Sequence, residues 1–127
     1  MTAGGGAEAL AARIDAYCAC WRVMDGAARE AALARVVAPD LRYTDPSVAL
    51  TGIPALSAHI AQVTAARPEA VIARTTPVDA HHRVARFGWS LTDGGREHLA
   101  GSIDLVETDP ASGLFTRITG FFGPLPG

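Results

Sequence analysis

Two aspartates stand where a carboxylate has chemical consequences. Asp104 lies in Gly101-Ser102-Ile103-Asp104-Leu105-Val106, a run that reads as the middle of a strand. A carboxylate there must find partners or shift its pKa, because burial penalises the charged form. Facing a pocket, it is an acid or base candidate. Facing outward, it is a solvated side chain or the partner of Arg86 or Arg117. Asp45 ends the short strand Leu41-Arg42-Tyr43-Thr44, since Pro46 pushes the residue before it to extended geometry. Asp-Pro also starts turns, with the carboxylate capping local backbone groups. Asp45 is therefore a turn anchor or an ionised base at a pocket mouth that water can reach.

The aromatic residues supply further chemistry. Tyr17 and Trp21 are four apart on a helix, and Tyr43 is on the short strand. Each has a polar tip that needs a partner when buried, which suits a pocket wall. His81 and His82 are adjacent, so on a strand they face opposite sides and cannot share one ion; no metal site is expected. One of them, taken as His82, can face the pocket as an acid or base, and His98 stands on the opposing strand where it could pair with it. Ser90 and Ser102 lack the G-x-S-x-G setting of a nucleophile, and Cys18 falls on a core face. The chain has no lysine, which excludes Schiff-base chemistry and a phosphate-loop lysine, and no asparagine to hold a water.

The elements that must position these groups follow from periodicity and punctuation. Leu10, Ile14, Tyr17, Cys18 and Trp21 make one face of a helix over 8–23. Asp25 caps a second helix over 26–37, with Leu33, Val36 and Val37 apolar and Pro39 as its stop. After Gly52 a third helix runs over 54–66 on the stripe Leu56, Ile60 and Val63. Beyond Pro68 the chain reads as strands: 71–78, 82–91, 98–108 and 114–122, with Asp93-Gly94-Gly95 as a hairpin turn. Helices followed by strands mean an α+β domain, a cone of three helices over a curved antiparallel, mixed-edge sheet with an internal pocket.

Composition agrees with one such domain over 1–127, with residues 1–7 as a flexible Gly/Ala arm. At 127 residues, 49% hydrophobic and 19% charged, the chain can bury one core. A net charge of −2 and scattered arginines give no footprint for nucleic acid. Cys18 and Cys20 are too close along a helix to bridge and read as free buried thiols, consistent with a reducing compartment. The N-terminal arm lacks a signal-peptide pattern and no stretch is long and apolar enough for a membrane span, so a cytoplasmic location without membrane contact is expected. Trp89 and Phe121-Phe122 come from strands that carry apolar residues on both faces, among them Val84, Val106 and Phe115; one helical layer covers one face, so the other predicts a homodimer.

Trp21, Pro39-Asp40, Tyr43-Thr44-Asp45-Pro46, Gly52 before a helix and Gly120-Phe121-Phe122-Gly123 resemble the nuclear transport factor 2-like superfamily over roughly residues 8–124. That group includes SnoaL-like polyketide cyclases, ketosteroid isomerase and scytalone dehydratase. Ketosteroid isomerase is the sharpest match. Its base stands in an Asp-Pro pair after the first strand, as Asp45 does. Its acidic oxyanion donor follows Ile, eight residues after a Gly-Arg turn, as Asp104 does after Gly95-Arg96. Its tyrosine donor sits on the first helix four residues before an apolar residue, as Tyr17 does before Trp21. The resemblance implies an ionised Asp45 base, a neutral Asp104 and a tyrosine, Tyr17 or Tyr43, on the developing enolate. A pocket lining of Trp21, Phe87, Trp89, Ile118 and Phe122 is expected, with a mostly apolar small molecule as partner and no cofactor. His82 with His98 would instead resemble the dehydratase arrangement. A non-catalytic binding module and a dimerising scaffold of the same fold remain as alternatives.

Overall fold

The computed structural model describes residues 3–126. Helix α1 spans Ala3–Cys20 and α2 spans Gly26–Ala34; strands β1 (Val37–Asp45) and β2 (Val48–Thr51) precede α3 (Ile53–Ala66). Five strands follow: β3 (Val71–Arg74), β4 (Asp79–His81), β5 (Val84–Asp93), β6 (Arg96–Thr108) and β7 (Phe115–Phe121). Most of the arm expected at 1–7 is the first turn of α1, and residues 1 and 2 lie outside the described residues.

Local signals explain most of these boundaries. The Asp25 carboxylate accepts the Ala28 backbone N–H at 2.8 Å and starts α2, satisfying one of the free donors of the first turn. Pro sits at the start of α3, where no N–H is missed. Gly94 and Gly95 both adopt positive φ, 60° and 80°, the conformation that a tight two-residue hairpin between β5 and β6 requires.

The strands form one curved sheet in the order β2-β1-β7-β6-β5-β3, with β4 also paired to β5. All pairings are antiparallel except β1 with β7. The parallel pair thus lies one strand in from the β2 edge, so the last strand in the chain is central in the sheet. Alternation along the strands fixes which residues face the helices. Ser102, Asp104 and Val106 of β6 share a side with Phe87 and Trp89 of β5 and with Ile118 and Gly120 of β7. Beneath the helices Ile14, Leu33, Leu41, Leu56, Ile60, Val106, Phe115 and Ile118 are fully buried.

That parity separates the two faces of the sheet. Val106 and Phe115 belong to the core, and Phe115 meets Tyr17 edge-on with ring centroids 6.4 Å apart. The opposite side of the sheet instead carries Ile103 and Phe121, paired across β6 and β7 and both exposed. Buried Arg29 joins the helical layer: its Nε donates to Ser57 Oγ at 2.8 Å and one terminal nitrogen donates to the Val23 carbonyl at 2.7 Å. A buried guanidinium needs such partners, because an unsatisfied charge costs far more than the bonds return. No helix among the described residues is long and apolar enough to cross a membrane.

Candidate functional site

Between the helices and the concave side of the sheet lies a cavity of about 210 Å³. Tyr17, Cys18 and Trp21 come from α1, His59 and Val63 from α3, Tyr43 and Asp45 from β1, Trp89 and Leu91 from β5, Asp104 from β6, and Phe122 follows β7. The lining is mostly apolar and aromatic, with two carboxylates in it.

Those carboxylates meet across a glycine. β7 runs between β1 and β6, and Gly120 is paired directly with Asp104. A β-carbon on Gly120 would lie 2.8 Å from Asp104 Oδ1 and 3.5 Å from the Asp45 β-carbon. Any larger residue would push into the space the Asp104 carboxyl occupies. Gly120 is thus what lets side chains from two non-neighbouring strands share one chamber.

Their environments pull the two acids apart. Burial is the dominant influence on Asp104, which is 9% exposed; an opposing pull from the Trp89 indole and the nearby negative charge of Asp45 follow. Its carboxyl is raised from 3.8 to about 7. Burial also pushes Asp45 upward, but a ring of donors outweighs it and holds the group below its ordinary value. Ser47 donates to Oδ1 through its backbone N–H at 2.7 Å and its hydroxyl at 2.6 Å, and Tyr43 donates its hydroxyl to Oδ2 at 2.7 Å. The Val48 N–H is 3.2 Å from Oδ1, and His59 Nε2 is 3.7 Å from Oδ2. The Asp45 side chain is only 3% exposed, so donors, not the bulk water expected at a mouth, keep it ionised.

Both tyrosines stay protonated donors. Burial, then the Asp104 charge, holds Tyr17 well above the usual phenol value. Burial, then Tyr17 and the bond to Asp45, does the same to Tyr43. Burial, then Asp104, raises the Cys18 thiol to about 12, so it is no nucleophile at neutral pH. Cys18 and Cys20 are both free and buried.

Several sequence-derived candidates fall elsewhere. His82 is exposed in the turn between β4 and β5, with φ of 48° and its ring nitrogen 3.1 Å from that of His81. The positive φ of His82 and Arg83 shows the reason: the strand expected from residue 82 begins only at Val84, after a turn that carries both histidines outside. His98 is half-buried opposite Leu91 and does not line the cavity, so no histidine pair forms. Phe87 and Ile118 are buried on the helix side of the sheet but belong to the packed core and do not line the cavity. Trp21, Trp89 and Phe122 do line it.

His59 is the residue the sequence reading missed. Its ring stands edge-on to Trp21 and tilted over Tyr43, with both centroid distances 5.9 Å. The signal was present: Leu56, His59, Ile60 and Val63 follow i, i+3, i+4, i+7, so His59 sits inside the apolar stripe of α3. Among the described residues no cluster of His, Cys, Asp and Glu has the geometry of a metal site.

Comparison with solved structures agrees with this architecture. A candidate isomerase of the SnoaL-like family from Agrobacterium tumefaciens superposes with a TM-score of 0.78 at 24% identity, covering 87% of this chain and 94% of that one. A protein with a ketosteroid isomerase-like fold from Catenulispora acidiphila, solved in complex with trimethylamine, gives 0.67 at 16% identity over 87% and 85%. A candidate SnoaL-like polyketide cyclase from Jannaschia gives 0.64 at 15% identity over 85% and 80%. No family model matches the chain, and no curated protein does. The chain has the nuclear transport factor 2-like fold, the α+β cone shared by SnoaL-like and ketosteroid isomerase-like proteins.

Proposed function

We propose that this protein is a cofactor-free acid/base enzyme that enolises a small, mostly apolar carbonyl compound, leading to isomerisation, cyclisation or dehydration. One observation carries the reading: two carboxylates with opposite pKa shifts line a single aromatic cavity. Pairs of titratable groups driven apart by their surroundings are how one site holds both an acid and a base at neutral pH. Asp45 takes the proton from the carbon beside the carbonyl. The C–H electrons form the carbon–carbon double bond of the enolate, and the carbonyl π electrons move onto oxygen. Asp104, in its protonated form, which gains population as pH falls through about 7, and Tyr17 donate to that oxygen. Returning the proton to a different carbon completes an isomerisation with no net gain or loss of electrons. A cavity of about 210 Å³ suits a ligand smaller than a steroid.

The experiment is proton–deuterium exchange at the α-carbon of small cyclic ketones and enones in D₂O, followed by NMR. Wild-type protein should accelerate exchange, and Asp45→Asn should remove about 10²-fold or more of it. Exchange no faster than in buffer, for compounds shown to bind, overturns the reading.

A specific observation supports a second reading, a non-catalytic binding module. Both oxygens of Asp45 are engaged by donors within its own turn and by Tyr43, which weakens it as a base. In that reading Asp45 anchors the β1–β2 turn, and the cavity holds a metabolite unchanged. We also propose that two copies pair through the sheet face bearing Ile103 and Phe121, and that the protein works in the cytoplasm.

A further inference from the structure

Trp89 carries a polar atom that the mechanism above does not use. Its side chain lines the cavity and is 7% exposed. Its Nε1 is the one buried side-chain nitrogen or oxygen among the described residues with no hydrogen-bond partner. Native interiors seldom leave an indole N–H unpaired, since desolvating the donor with nothing in return is unfavourable. The orphan is also aimed at a particular place. Trp89 pairs with Ser102 and Phe87 with Asp104, so Trp89 and Asp104 are diagonal neighbours on the same side of the sheet. The indole lies close enough to Asp104 to influence its carboxyl, though it falls outside the geometry of a formed hydrogen bond. Phe122 stands edge-on to the indole at 5.9 Å and holds its plane.

We propose that the Trp89 indole N–H is an oxyanion donor, forming with the Asp104 carboxyl a two-donor cradle for an oxygen the ligand presents. This deepens the enolising reading and rests on it for the origin of that oxygen as a developing enolate. The ligand class follows from the cradle: a flat, mostly apolar molecule with one oxygen that carries negative charge in its bound or reacting form, an enol or a phenol. Tyr17 of α1 lines the same cavity, near enough to Asp104 for that charge to act on its phenol, so the cavity offers donors from α1, β5 and β6. An indole is fit for the task because it donates and cannot accept or lose its proton at working pH.

The probe is 4-nitrophenol, which ionises near neutral pH and whose absorbance separates phenol from phenolate. Wild-type protein should bind it with the phenolate band enriched. Trp89→Phe keeps an aromatic ring and removes the N–H, and should weaken binding by about tenfold or more, as for one charge-assisted bond. Its melting temperature without the probe reads only the packing lost with the smaller ring, so affinity is compared between folded proteins. A second readout needs no variant: of the two indole N–H resonances, from Trp21 and Trp89, that of Trp89 should move downfield on binding. Equal affinity in Trp89→Phe, an unmoved Trp89 resonance, or no binding to wild type each overturns the proposal. Holding a phenolate needs no base, so 4-nitrophenol binding to the wild-type protein reads the cradle apart from proton transfer. A working cradle without α-proton exchange therefore sinks the enolising reading alone, and exchange without any Trp89 effect sinks this proposal alone.

Discussion

Replacing Asp104 with asparagine should stabilise the protein, by an amount that depends on pH. The native carboxyl is raised from 3.8 to about 7, chiefly by burial. The folded state therefore holds the proton more tightly than the unfolded state, and stability falls as pH rises from about 4 to about 7. A rise of that size, at about 1.36 kcal/mol per pKa unit, amounts to about 4 kcal/mol lost once both states are ionised. An asparagine side chain has nearly the same shape and never ionises, so Asp104→Asn should be more stable at pH 8 by up to about 4 kcal/mol, on the order of 10 °C in melting temperature for a chain this size. Below about pH 4 the two proteins should converge, because Asp104 is then protonated both folded and unfolded. Urea unfolding followed by tryptophan fluorescence at half-unit steps from pH 4 to 8.5 measures the difference directly. Equal stability at pH 8 would refute the argument. So would an advantage that stays constant with pH, since that would come from packing and not from charge.

Three further outcomes test other parts of the structure. Gly120→Ala puts a β-carbon 2.8 Å from Asp104 Oδ1, and should cost about 1–3 kcal/mol in urea unfolding while displacing the carboxyl from the cavity. Tyr43→Phe removes one of the bonds that hold Asp45 down, so the Asp45 carboxyl should titrate at higher pH by carbon-13 NMR; no change would mean that the Ser47 donors alone fix it. Phe121→Glu places a charge at the centre of the exposed Ile103–Phe121 row, and light scattering should show a wild-type dimer become a monomer; a wild-type monomer at micromolar concentration removes the proposed pairing.

The helices are legible in the sequence because their signals are local. The α1 stripe, the Asp25 cap and the proline at the start of α3 each act within a few residues. What the sequence hides depends on distant partners. Pro39 looks like a helix stop, yet β1 begins at Val37 and passes through it. The ladder with β7 is irregular between Val37 and Arg42, and pairing with β2 starts only at Arg42, so the missing proline N–H goes unmissed. β2 itself is four residues long, too short for alternation to announce it. Among the site residues, Asp45, Asp104, Tyr17 and Tyr43 can be singled out by type and place, and the structure brings all four to one cavity. His59 escapes notice because a histidine in an apolar stripe breaks the pattern being counted. His82 is misplaced because nothing nearby marks the turn before Val84. The role of Gly120 is not visible at all, since an empty volume between two strands exists only after they pair.

The place of β7 in the sheet has a consequence for how the protein is made. β1 and β6 can each leave the ribosome complete, but they have no contact with one another until β7 lies between them. Until then the growing chain holds two open sheet edges, and Asp45 and Asp104 belong to separate fragments. The last strand of this sheet in chain order acts as a keystone: joining it closes the sheet, covers those edges and creates the cavity in one event. Pairing that spans most of the chain makes closure slow compared with helix formation. Nascent chains stalled just before Phe115 should therefore be sticky and bind no ligand, and both properties should change together once β7 is released.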